Sequence, residues 1–167
     1  MGKAGCGLRS LFFLFPFSFL LLTSCGNKNI VDESREFNSN VWNRFSPEVF
    51  EASISNTEAY YNIDLTASID TAVFRYTSLP LTVNLYSPTG ERRMFYSEVT
   101  FKENGRWKGE TVDGMRTVTT HIRTFFSFNG KGEHRIEIGQ ATSQYDLEGI
   151  HSIDLDIYKV KLDYGEL

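Results

Sequence analysis

Cysteine is almost missing from this chain. Only Cys6 and Cys25 occur among its 167 residues. Both fall at the N-terminal end, so no disulfide framework holds the body together and a core must do so. Histidine is scarce too, with 3 residues, and neither a His-Glu-x-x-His pair, a second histidine at ligand spacing nor a cysteine ligand is present to build a signature zinc site. A Gly-x-Ser-x-Gly elbow is absent too, which removes the usual mark of a hydrolase nucleophile. There is no Lys/Arg-rich block, and the net charge is −4. Nucleic acid and anionic headgroups recognised by charge are therefore poor partners. Long apolar runs are lacking as well. The run from Leu11 to Leu22 is interrupted by Pro16 and falls short of the ~20 residues a transmembrane helix needs.

What is present begins with order at the N-terminus. Lys3 and Arg9 precede the Phe/Leu run, and Leu22-Thr23-Ser24-Cys25 closes it. That is the layout of a signal peptide: positive residues, a short apolar stretch, then small residues. Leu-Thr-Ser-Cys resembles the bacterial lipobox, whose cysteine carries diacylglycerol on its thiol and, after cleavage, a palmitate-like acyl chain on its amine. The expectation is a signal segment at residues 1–24 and lipidation at Cys25. The start Met1-Gly2-Lys3-Ala4-Gly5-Cys6 lacks the Ser or Thr of a myristoylation signal. Removing the signal leaves 143 residues, with 15 basic side chains against 21 acidic. That length suits one domain with one core.

Beyond a polar tether expected at residues 25–33, the dominant period is two. Ala59, Tyr61, Ile63, Leu65, Ala67 and Ile69 alternate with Tyr60, Asn62, Asp64, Thr66 and Ser68, which predicts a strand with one buried face. The same pattern places Leu81, Val83 and Leu85 on a core face. It does so again for Phe95, Ser97, Val99 and Phe101, for His134, Ile136 and Ile138, and for His151, Ile153, Leu155 and Ile157. Val49 to Ile54 is short and β-branched and also predicts a strand. Pro88-Thr89-Gly90, Asn104-Gly105, Asp113-Gly114 and Asn129-Gly130 supply hairpin chemistry between these runs. Thr142 to Leu147 is expected to be a loop or one helical turn. The fold class is all-β, an antiparallel, jelly-roll-like β-sandwich over residues 34–163 with a tail at 164–167.

Few residues invite chemistry. His134 and His151 fall on apolar faces and are expected as core or edge histidines, while His121 is expected on a solvated face. Asp154 and Asp156 share a strand face with side chains ~7 Å apart, near the spacing of a carboxylate pair or a hard-cation site, but a solvated face is the favoured reading because no loop supplies further oxygens. Tyr60, Tyr86 and Trp107 invite a sugar-stacking platform, although aromatics also favour strands for packing. The expectation is no catalytic residue, no metal, no cofactor and no small-molecule ligand.

Several stretches in order resemble the gliding-motility lipoprotein GldH family of Bacteroidota. They are Trp42 to Phe45, Tyr61-Asn62-Ile63-Asp64-Leu65, Arg75-Tyr76-Thr77-Ser78-Leu79-Pro80-Leu81, Asn84-Leu85-Tyr86, Pro88-Thr89-Gly90 and Asn104 to Gly109. Gly132 to Ile136, Gln140-Ala141 and, most specifically, Leu147-Glu148-Gly149-Ile150-His151-Ser152-Ile153-Asp154-Leu155 complete the set. The chain departs from the family pattern at Ser68-Ile69-Asp70, at Leu79 and Leu81 around Pro80, and at Thr142-Ser143. The resemblance implies a lipid-anchored, non-enzymatic envelope protein that works beside motility and type IX secretion components. Gly26-Asn27-Lys28-Asn29 lacks the acidic run that resembles a surface-export signal in that phylum, so the expected site is the outer membrane, facing the periplasm. Two other classes remain open: a carbohydrate-binding lipoprotein and a β-sandwich hydrolase.

Overall fold

A computed structural model describes residues 29–161 and Gly2. Cys25 and the other N-terminal residues lie outside the described residues, as does the tail from residue 162. The strands are β1 (Val31–Glu36), β2 (Val41–Asn43), β3 (Glu48–Ile54), β4 (Tyr60–Ile69), β5 (Ser78–Tyr86), β6 (Arg92–Thr100), β7 (Lys102–Glu103) and β8 (Arg106–Trp107). They continue with β9 (Glu110–Val112), β10 (Met115–Phe126), β11 (Gly132–Gln140), β12 (Asp146–Glu148) and β13 (Ile150–Val160). Asn38–Asn40 forms a single 3-10 turn, and no α-helix occurs among the described residues.

One sheet runs β1-β13-β4-β10-β9 and the other β3-β11-β5-β6, with every pairing antiparallel. Among the principal strands β1, β3, β4, β5, β6, β10, β11 and β13, the first, eighth, third and sixth lie in one sheet. The second, seventh, fourth and fifth lie in the other. This is the jelly-roll order, and it agrees with the expected antiparallel sandwich.

The two-residue period accounts for the core. In β5 the side chains of Leu79, Leu81, Val83 and Leu85 are buried and their neighbours are not. Leu79 and Leu81, two of the departures from the family pattern, are thus core residues rather than surface. In β4 the odd positions from Tyr61 to Ile69 are all buried. The inner layer between the sheets includes Phe50, Ile63, Leu65, Ile136, Ile153 and Leu155, while Trp42 closes one end, stacked on Phe37 at 4.8 Å. His134 is fully buried edge-on to Phe128, its ring nitrogens 3.2 Å and 3.0 Å from the carbonyl oxygens of Gly132 and Asn129. It is the satisfied core histidine expected. Phe95 and Ser97 keep the expected phase but are only half-buried, because β6 is an edge strand.

Four expectations change. Val31, Asp32 and Glu33 belong to β1, not to a free tether. β1 is a polar edge strand with only Val31 buried, so it gives no periodic signal. Asn129-Gly130 is not a hairpin, because β10 and β11 lie in different sheets. It is an arch, with Asn129 donating to Glu91 at 2.7 Å. His151 leaves the apolar face, since a bulge between Ile150 and Ser152 turns it toward Asn40, 3.0 Å away. The segment expected as a loop or turn over Thr142 to Leu147 ends in a short strand, β12, paired with β2.

Register also assigns ends. Val31 pairs with Ile157, Tyr60 with Val160 and Phe126 with Tyr61, so residues 29–31 enter at the same end as the start of β4 and the end of β10. β2, β12 and the β7–β8 hairpin lie at the opposite end.

Candidate functional site

The outward face of the five-stranded sheet is a grid of paired polar side chains. Ser68 and Thr117 hydroxyls lie 3.0 Å apart, and those of Thr66 and Thr119 lie 2.7 Å apart. The next row crosses four strands, running Asp32, Asp156, Asp64 and His121 on β1, β13, β4 and β10. The Asp64 carboxylate is buried and engaged at both oxygens: His121 Nδ1 lies 2.6 Å from one, and the Tyr158 hydroxyl donates to the other at 3.0 Å. Asp156 accepts a hydrogen bond from the Asn29 side chain at 3.0 Å. Its pKa is raised above the ordinary carboxylate value, first by desolvation and then by the charges of Asp32, Asp64 and Asp154.

The Asp154/Asp156 pair foreseen from spacing therefore belongs to a larger acidic cluster. Asp32 and Asp64 went unforeseen, because period two assigns a face but not a partner strand. Chemically the cluster orders cross-strand hydrogen bonds, and within it Asp156 holds its proton more tightly than an ordinary carboxylate. No group of three or more His, Cys, Asp or Glu among the described residues is arranged to hold a metal ion. His121 is fixed by Asp64 rather than simply solvated.

The aromatics do not form one platform. Tyr60 is exposed at the entry end of the five-stranded sheet. Tyr86 lies on the other sheet, beneath the guanidinium groups of Arg92 and Arg135 and donating to Glu137 at 3.0 Å. Trp107 is half-buried in the β7–β8 hairpin under the Lys102 ammonium, 4.2 Å from the ring centre.

A different aromatic pair stands out at the far end. Phe45 is 72% exposed and Tyr145 67%, with ring centroids 5.7 Å apart. The turn after β2 holds one and the loop before β12 holds the other. Arg44 N–H donates to the Tyr145 carbonyl at 2.7 Å, and Phe45 N–H donates to the Asn43 side chain at 2.9 Å. Along β12 runs a cleft of about 340 Å3 lined by Arg75, Tyr76, Gln144, Asp146 and Glu148. Neither ring lies on an alternating run, so periodicity carried no signal for the pair.

Fold and surface define a class of protein first: an all-β jelly roll whose distinctive side chains lie on open faces and ends. The chain belongs to the GldH lipoprotein family, whose model matches residues 29–157. It is similar to the gliding motility lipoprotein GldH homolog of Christiangramia forsetii, being 28% identical over 153 residues that cover 88% of this chain and 91% of that protein. Membership makes it a lipoprotein of the cell envelope in a gliding-motility family.

Proposed function

We propose that this chain is a non-enzymatic component of an envelope motility machine. It is anchored through lipid on Cys25, faces the periplasm from the outer membrane, and works by protein–protein contact. The exposed Phe45–Tyr145 pair carries the contact reading, because it stands at the end opposite the chain's entry. Two aromatic rings held in mutual contact by backbone hydrogen bonds expose apolar area without the ordering cost of long flexible side chains. The proposed partner is another envelope protein of the motility or secretion apparatus, with an apolar pocket to receive the rings.

Photocrosslinking from position 45 in intact envelopes tests this reading. Recovery of a motility or secretion protein, lost when Tyr145→Ser removes the second ring, is the expected outcome. A crosslink pattern identical to that from an exposed β3 position such as Ser53 would refute it. Protease treatment of intact cells tests the leaflet: a protein facing the periplasm survives until the outer membrane is breached.

A further inference from the structure

The entry end carries a second aromatic feature, held by a strained bulge. In β10 the register slips so that Arg123 pairs with Ile63 and Phe126 with Tyr61, leaving an extra residue opposite Asn62. Phe125 adopts φ +50°, a left-handed conformation that a bulky side chain rarely accepts. Its N–H is satisfied by the Asn62 side chain at 3.1 Å, so the bulge is held rather than frayed. The result is to turn Phe125 out to 53% exposure while Phe126 packs inward on Phe128. Tyr60, 39% exposed, and half-buried Val160 form a pair at the same end. Exposed Lys159 and Lys161 lie beside them, with Glu58 on the neighbouring loop.

We infer that this end rests on the lipid layer that holds the chain's own N-terminus, with Phe125 and Tyr60 inserted among the headgroups. The inference builds on lipidation at Cys25. Ile30 N–H is already bonded to the Ile157 carbonyl at 2.6 Å. Only the stretch from Cys25 to Ile30 remains to span the gap, reaching at most about 17 Å when fully extended. A lipid on Cys25 therefore confines this end, and not the Phe45 end, to the membrane surface. Interfacial burial of aromatic rings reaches ~5–10 Å into the headgroup boundary, within that tether's reach. The charges here are mixed, so the contact is made by rings.

The test uses the full-length chain, matured in cells, extracted from membranes and reconstituted into vesicles of phosphatidylethanolamine and phosphatidylglycerol. Some of these lipids carry bromine near the headgroup end of the acyl chains. Phe125→Trp and, as a far-end control, Phe45→Trp are each placed in a Trp107→Phe background; buried Trp42 gives a constant signal. Mass spectrometry of the N-terminal peptide is run on each. The expected result is an acylated Cys25, with the Phe125→Trp fluorescence quenched by about half or more and the control unquenched. An acylated chain whose two fluorophores respond alike overturns the contact while leaving the anchor standing. An unacylated chain overturns the anchor and the contact with it. A Phe125→Trp chain that is unquenched in vesicles but blocks a crosslink to a protein in cells assigns the bulge to a protein partner instead.

Discussion

At Gly149 the backbone takes φ +84°, its N–H donates to the Asn40 carbonyl at 2.8 Å, and its carbonyl accepts from Asp70 N–H at 2.9 Å. A Cβ there would sit 2.5 Å from the Phe74 backbone nitrogen. Both the left-handed conformation and the lack of room exclude a side chain. The Leu-x-Gly-Ile stretch that looked most specific in the sequence is thus a packing junction, where β13, the β4–β5 connection and the 3-10 turn meet. Gly149→Ala should lower unfolding free energy by ~2 kcal/mol or more, read from denaturant melts. Asp156 makes the opposite prediction. Its raised pKa means the folded state holds this proton more tightly than the unfolded chain does. The destabilisation is absent below the ordinary carboxylate range and sets in as pH rises through the folded value. Asp156→Asn should therefore melt higher than the parent at pH 7, and the gap should close below about pH 4.

At the scale of elements, β6 shows how register turns into a measurable pattern. Ser87 N–H bonds to the Glu91 carbonyl at one end of the β5–β6 ladder, and Phe101 N–H to the Thr77 carbonyl at the other. Odd-numbered residues of β6 thus exchange bonds with β5, and even-numbered ones point their N–H groups to an open edge. Hydrogen exchange should find the amides of Arg93, Phe95, Ser97 and Val99 protected and those of Arg92, Met94, Tyr96 and Glu98 fast. Uniform protection would mean that another strand covers the edge. The charged Arg92, Arg93 and Glu98 suit an edge that must resist casual pairing. The strands legible in the sequence, β3, β4, β5, β6, β11 and most of β13, are those whose own residues alternate or are β-branched. β1 was missed because an edge strand needs few apolar residues. The arch at Asn129-Gly130 was misread as a hairpin because Asn-Gly specifies a turn but not which sheet receives the next strand.

For the molecule as a whole, the two ends have different work in the proposed arrangement. One end receives a short chain from Cys25 and displays Phe125 and Tyr60, and the other presents Phe45 and Tyr145. Cys25→Ala should move the protein from the membrane pellet to the soluble periplasmic fraction. Unchanged pelleting would refute the lipobox reading.

Sequence alone determined the core faces, most turns and the expected lipid site, because side-chain alternation, turn conformation and a lipobox are local properties of a few consecutive residues. Only tertiary structure decided that Asp32, Asp156, Asp64 and His121 share a row, and that Phe45 meets Tyr145. It also decided that a bulge turns Phe125 outward at the end where the chain enters. Those are matters of pairing between strands far apart in the chain, settled when two sheets close over one core and a single register buries every apolar face at once.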